Sequence, residues 1–125
     1  MPEHPNAALL RKVTEAFNAG DMQAAEYLSD DVVWHEIGRA EPIRGKQALA
    51  DMYAGGTPPD FEIKADLHDV VANDEHAVGL VNATATRAGK TLNYRTAEIV
   101  HVRDGKITER WAFSDDTAAI NEFFA

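Results

Sequence analysis

Cysteine is absent from this 125-residue chain. That excludes disulfides, thiolate metal sites and cysteine nucleophiles together. Basic residues are scarce: 12 Lys and Arg stand against 21 Asp and Glu, a formal net charge of −9. They do not gather into a patch, so nucleic acid and anionic membrane surfaces would be repelled on approach. No apolar run nears the roughly 20 residues that cross a bilayer. The opening Met-Pro-Glu-His-Pro has neither a basic nor an apolar stretch, so no signal peptide is expected. These absences together predict a cytoplasmic protein with no nucleic acid and no membrane partner. The only serines are Ser29 and Ser114, and neither completes a serine–histidine–acid arrangement. The five histidines, at 4, 35, 68, 76 and 101, form no HxH or HExxH spacing, so no metal is expected. No Gly-rich phosphate loop is present and no cofactor is expected.

What is present fits one domain over residues 1–125. Leu9, Leu10, Val13, Ala16 and Phe17 recur at helical spacing, with Asn6 as N-cap and Gly20 as stop. A second short helix is expected after Asp21, with Met22, Ala25 and Leu28 on one face. Asp30 and Asp31 end it, and residues 32–37 read as a strand. Residues 38–44 read as a loop, and Gly45 opens a third helix with Leu49, Met52 and Tyr53 on its inner stripe. The Gly55-Gly56 and Pro58-Pro59 pairs stop it. From Phe61 onward, apolar and polar residues alternate with a period of two. Asn73-Asp74, Ala88-Gly89-Lys90 and Asp104-Gly105 mark turns between strands 76–87, 91–103 and 106–114. A short helix over 117–124 closes the chain. The fold class is α+β, a curved antiparallel or mixed sheet wrapped by three N-terminal helices around one apolar pocket.

Two stretches carry a resemblance. Asp30-Asp31-Val32-Val33-Trp34, followed by Glu41-Pro42 and Gly45, is one; Val102 through Trp111 is the other. Both resemble the SnoaL-like and ketosteroid isomerase-like branch of the nuclear transport factor 2-like superfamily, and the likeness runs over nearly the whole chain. The resemblance implies that Glu36 takes the place of a general base on the first strand. It places Glu98 at the position of a protonated carboxyl that donates to an oxyanion. The tyrosine of the first helix is replaced here by Val13. The cyclases of the branch carry an acid soon after the last strand's tryptophan, which puts Asp115 in that role with Asp116 beside it.

The residues themselves support part of this. Glu36 shares a strand face with Val32 and Trp34, and Glu98 shares one with Tyr94, Thr96, Val100 and Val102. If both faces look inward, two carboxyl groups enter one apolar cavity, where desolvation and repulsion favour protonation of one. Arg110 shares a face with Ala112 and Ser114, the concave face by the resemblance. It would neutralise a glutamate or hold an anionic substrate. The plain alternative is an exposed ion pair. Either Asp115 or Asp116 serves as a helix cap. Phe17, Trp34, Tyr53 and Tyr94 are candidate walls of a substrate site, or plain core. Ile107, Glu109, Trp111 and Phe113 fall on the convex face, where Trp111 and Phe113 point to homodimerisation through the sheet.

Three functions remain open from the sequence. One is a cofactor-independent enzyme of isomerase, cyclase, dehydratase or hydrolase type that acts on a small, mostly apolar molecule. The second is a non-catalytic module that binds such a molecule. The third is a homo-oligomerising domain. Fold alone does not choose among them.

Overall fold

The computed structural model describes residues 3–19, 22–54 and 61–125, and the side chains of all of these except 22, 23 and 52–54. The Gly20 stop, the Asp21 cap and the Gly-Pro stop at 55–59 lie outside the described residues. The elements are helix α1 (Pro5–Asn18), a 3-10 turn over Met22–Tyr27, strands β1 (Leu28–Trp34) and β2 (Ile43–Arg44), and helix α2 (Lys46–Ala54). Strands β3 (Phe61–Ala72), β4 (His76–Arg87), β5 (Lys90–Arg103), β6 (Lys106–Ser114) and helix α3 (Thr117–Phe123) follow. The fold is α+β, with a curved six-stranded sheet in the order β2-β1-β6-β5-β4-β3. All neighbours are antiparallel except β1 and β6, which makes the sheet mixed.

The hairpins follow from local chemistry. Ala88-Gly89 and Asp104-Gly105 all have positive φ, the requirement of a two-residue turn that matches strand twist. At the β3–β4 turn, the Asn73 carboxamide oxygen accepts from the backbone N–H of Glu75 and of His76, at 3.0 and 2.8 Å. Two irregularities decide which side chains face inward. His68 is an extra residue between Leu67↔Val81 and Asp69↔Leu80, so Val70 packs against the core and Val71 faces out. Thr108 is an extra residue between Ile107↔Val102 and Glu109↔His101. It reverses strand parity, so Ile107 joins Arg110 on the concave side and is 1% exposed. Ile107 was expected on the convex face, and a bulge explains the difference.

Other expectations are also corrected. The N-cap of α1 is His4, whose ring nitrogen accepts from the Asn6 N–H; Asn6 lies inside the helix and donates to the Asn73 carbonyl. The second helix is a 3-10 turn, and Leu28 begins β1. Asp30 and Asp31 are exposed within β1, where the register against β6 is irregular. β1 ends at Trp34 rather than at residue 37, and the loop at 38–44 contains the short strand β2.

The core gathers Leu10, Leu28, Val32, Leu49, Ala77, Val100, Val102 and Ile107 between the helices and the concave sheet face. Gly79 faces this side opposite Glu98; a Cβ there would sit 2.6 Å from Leu67 Cδ1 and 3.0 Å from Leu10 Cδ2. Its lack of a side chain lets α1 lie close to the sheet. α1 is fixed at its other end by Asn18. The Asn18 carboxamide donates to the Ala65 carbonyl at 2.6 Å and accepts from the Ala65 N–H at 2.9 Å. It thus pairs with the free edge of β3 as a strand would. α1 is thereby held as a roof over the sheet.

Candidate functional site

Beneath α1 the sheet leaves a cavity of about 150 Å³. Helix α1 contributes Leu10, Val13, Thr14 and Phe17. β3 and β4 contribute Ile63, Ala65, Val81 and Ala83, all apolar. Apart from Thr14, the polar groups come from β1 and the turn after it, β5 and β6: Trp34, Glu36, Tyr94, Thr96, Glu98 and Arg110. Polar residues thus line one side of a largely apolar space, the usual composition of a small-molecule site.

Each of these side chains is placed by its strand. Tyr94, Thr96, Glu98 and Val100 alternate on the concave face of β5, as their spacing predicts. Trp34 is the register partner of Arg110 across the parallel β1–β6 pair. One more ladder bond, from the His35 N–H to the Arg110 carbonyl at 2.9 Å, holds the chain in line beyond β1. Glu36 comes next and shares the inward side with Trp34. A turn follows, closed by the Arg39 N–H on the Glu36 carbonyl at 3.3 Å. Gly38 has φ +80° and lies against Asn121 of α3, with no room for a Cβ. The loop that carries Glu36 is therefore braced from behind by the C-terminal helix. The C-terminal end of that helix is held where Arg87 donates to the carbonyls of Phe123 and Ala125, at 3.0 and 2.8 Å.

Arg110 grips Glu98 with a two-point fork, Nε to Oε2 at 2.7 Å and Nη2 to Oε1 at 2.8 Å. Its Nη1 donates to the His35 carbonyl at 3.0 Å. The guanidinium also lies over the Trp34 ring, 4.5 Å from the centroid. Both partners are largely shielded, with Arg110 12% and Glu98 23% exposed at the side chain. Such a fork is a strong, directional pairing. Both Glu98 oxygens accept from the guanidinium here, where the resemblance implies a carboxyl that donates to an oxyanion. The expectation that Arg110 neutralises a glutamate matches this geometry.

Glu36 has a different partner. The Trp34 indole N–H donates to its Oε1 at 3.0 Å. Trp34 therefore lies between the two carboxyl groups, hydrogen-bonded to one and stacked under the cation that holds the other. Tyr94 completes the group. Burial, then the negative charge of Glu98, holds its phenol above the ordinary 10.0; Glu36 acts in the same direction and Arg110 opposes it. The phenol therefore remains a neutral proton donor through the physiological range.

The structure brings Glu36, Glu98, Arg110, Trp34, Tyr94 and Phe17 to one cavity, with Phe17 45% exposed. The Tyr53 side chain lies outside the described residues. Asp115 is not among the lining residues. Its carboxylate is exposed and accepts from the backbone N–H and the guanidinium of Arg95, at 3.1 and 3.3 Å. The backbone bond chiefly lowers its pKa. Asp115 thus fastens β5 to the end of β6, away from the cavity where the resemblance implies a catalytic acid. Asp116 is the N-cap of α3, accepting from the Ala119 N–H at 3.0 Å. The residue that sequence reasoning passed over is Thr96, whose place on the inward face of β5 was legible but whose missing partner was not. Among the described residues no cluster of three or more metal-binding side chains occurs.

Comparison with known proteins agrees with this architecture. Residues 10–110 match the SnoaL-like domain family, and the chain belongs to that family, within the nuclear transport factor 2-like superfamily. An uncharacterised protein of Mycobacterium tuberculosis, Rv0034, is 29% identical over 138 residues and covers 100% of both chains. Among solved structures, Bal32a from a soil-derived mobile gene cassette is 29% identical, with a TM-score of 0.82 over 97% of each chain. An LEH-like epoxide hydrolase of M. tuberculosis superposes with a TM-score of 0.80 over 94% of this chain and 87% of its own. At 16% identity that likeness is one of fold.

Proposed function

We propose that this protein is a cofactor-independent enzyme that acts on a small, mostly apolar molecule by general acid–base chemistry. The observation that carries the reading is the juxtaposition, in one apolar cavity, of a carboxylate and a phenol kept neutral. Glu36, oriented by Trp34, is the base. Tyr94 is the hydrogen-bond donor to the oxygen on which negative charge develops. It supplies a phenol from β5 where the first helix offers only Val13. In this scheme Glu36 takes a proton from a carbon next to a carbonyl, or from a water that attacks the substrate. The electron pair moves onto the oxygen facing Tyr94, and the proton returns from Glu36 to the product. Arg110 and Glu98 fix the charge of the wall and the tilt of Trp34, as positioning residues. Isomerisation and hydrolysis both fit this arrangement.

The test is turnover of a panel of small cyclic enones, epoxides and lactones by wild type and by Glu36→Gln. Glutamine retains an acceptor for the indole but cannot take the proton. Loss of turnover by about 100-fold or more, with unchanged melting temperature, is the expected result. Full turnover in the variant would remove Glu36 from the mechanism.

A second feature supports self-association through the convex sheet face. By register, Phe113, Ala97 and Leu80 form one apolar row and Trp111, Ile99, Val78 and Val71 the next. Phe113, Leu80 and Val71 are 59%, 42% and 64% exposed. Trp111 is stacked on His35 and meets His101 edge-on, so Phe113 is the cleaner probe. Sedimentation of Phe113→Arg should show a monomer where wild type shows a dimer. A dimer that survives the change would exclude this face.

A further inference from the structure

Among the described residues that line the cavity, one has a buried side-chain oxygen with no hydrogen-bond partner. Thr96 is 7% exposed, and its hydroxyl is buried without a hydrogen bond. Burying an unpaired hydroxyl is unfavourable, and a valine of the same shape would avoid the loss. Several neighbouring polar groups are engaged within the protein by contrast. Thr14 donates to the carbonyl of Leu10 at 2.9 Å, Trp34 donates to Glu36, and Arg110 donates to Glu98 and His35. The register partners of Thr96 are Val81, which has no polar atom, and Ser114, whose hydroxyl pairs with Thr117 at 2.9 Å. Ser29 also has a buried unpaired hydroxyl, but it does not line the cavity.

The place of Thr96 gives its hydroxyl a use. It lies midway between Tyr94 and Glu98 on the inward face of β5, roughly 7 Å from each along the strand. Its oxygen is shielded as the side chain stands, so a change of χ1 rotamer presents it to a ligand. A hydroxyl both donates and accepts, so it then meets a neutral carbonyl or hydroxyl oxygen equally well. Cavity size limits what carries that oxygen. A space of about 150 Å³ is comparable to the engineered protein cavity that holds a single benzene ring. Sites for drug-sized ligands start at roughly twice that volume.

We infer that Thr96 is a specificity residue and that the cavity takes a single-ring molecule with a hydroxyl or carbonyl oxygen over the middle of β5, rather than a fused polycycle. The inference rests on the cavity being the substrate site, as proposed above. It adds a second point of recognition, apart from the reacting end at Glu36 and Tyr94.

The experiment measures binding of phenol, toluene, cyclohexanone, methylcyclohexane and 2-naphthol to wild type, Thr96→Val, Thr96→Ser and Glu36→Gln, by calorimetry or ligand-observed NMR. In Thr96→Val the ratio of phenol to toluene affinity should fall about tenfold. Thr96→Ser should keep the wild-type ratio, and the naphthol should bind more weakly than phenol. Thr96→Val should melt no lower than wild type. An unchanged ratio in Thr96→Val, tighter binding of the fused ring, or no ring binding to wild type would each overturn the inference. Should Thr96→Val not fold, Thr96→Ala carries the same comparison. Glu36→Gln separates the two readings. If it loses turnover but keeps the phenol preference, both stand. If it keeps turnover while Thr96→Val loses the preference, the acid–base reading fails and the Thr96 assignment stands.

Discussion

The two halves of one strand face do different work. On the concave side of β5, Val100 and Val102 are 2% and 7% exposed and merge with the core around Leu28, Val32 and Ile107, with Val100 and Ile107 forming the floor at the cavity's edge. A few residues earlier, Tyr94, Thr96 and Glu98 point the same way and meet a cavity instead. The facing strand β4 changes little along the same length, from Ala77 through Val81 to Ala83 and Ala85, all buried. The difference is therefore set by β5 and by what closes the space above it. At the boundary between the two, opposite Glu98, α1 lies tight on the sheet over Gly79. At the polar end the wall is completed by Trp34 of β1, Glu36 of the turn after it and Arg110 of β6. A continuous sheet can thus hold the fold with one half and a ligand with the other, without a separate domain for each.

This contrast can be broken from either end. Ile107→Ala removes the bulkiest of the fully buried core side chains. It should destabilise the protein by about 2–5 kcal/mol, read by denaturant unfolding. At the polar end, Arg110→Met should cost less, about 1.5–3 kcal/mol, because Glu98, 23% exposed, regains part of its hydration when the fork is lost. Pairing that change with Glu98→Leu should restore much of the loss, since the penalty lies in leaving one charge alone. If the double variant is no better than the single, the pair is not the unit described here.

The smallest effect is on alkaline stability. The Tyr94 phenol has a folded-state value above 10.0, so the folded chain holds that proton more tightly than the unfolded chain does. Its contribution is present below the ordinary value and lost as pH rises through the folded one. An absorbance titration should show one of the three tyrosines ionising late. Tyr94→Phe should remove the late step and flatten the alkaline loss of stability.

Much of the fold was legible in the sequence because its turns are chemically explicit. Asn73-Asp74, Ala88-Gly89 and Asp104-Gly105 delimit β4 and β6 at 76–87 and 106–114, as expected from those residues. Boundaries failed where pairing overrides local preference. Asp30 and Asp31 look like breakers, yet they run within β1 because Leu28 and Val33 on either side are paired to β6. β2 has only two residues and no pattern of its own to read. Strand parity grouped Glu98 with Tyr94, Thr96 and Val100, and Glu36 with Trp34, as the cavity lining has them, whereas the side that the Arg110 face takes came from the resemblance. Parity misplaced Ile107, since the extra Thr108 has no marker in sequence. The Arg110–Glu98 fork was foreseeable as one of two pairings, and only geometry chose between them. Asp115 was assigned by likeness to a position after the last strand, but its backbone bonds with Arg95 turn it away from the cavity. An unpaired hydroxyl such as that of Thr96 is a property of what surrounds it, which no single sequence displays.

The central claim is that the polar half of the β5 face is where a small molecule sits. The most direct measurement is methyl and aromatic NMR during titration with phenol. Shifts should concentrate at the Thr96 methyl, the Tyr94 ring and the Ile63 and Val81 methyls, and leave Val102 unmoved. Shifts centred instead on Phe113, Leu80 and Val71, or none at saturating phenol, would contradict the account and move attention to the convex face.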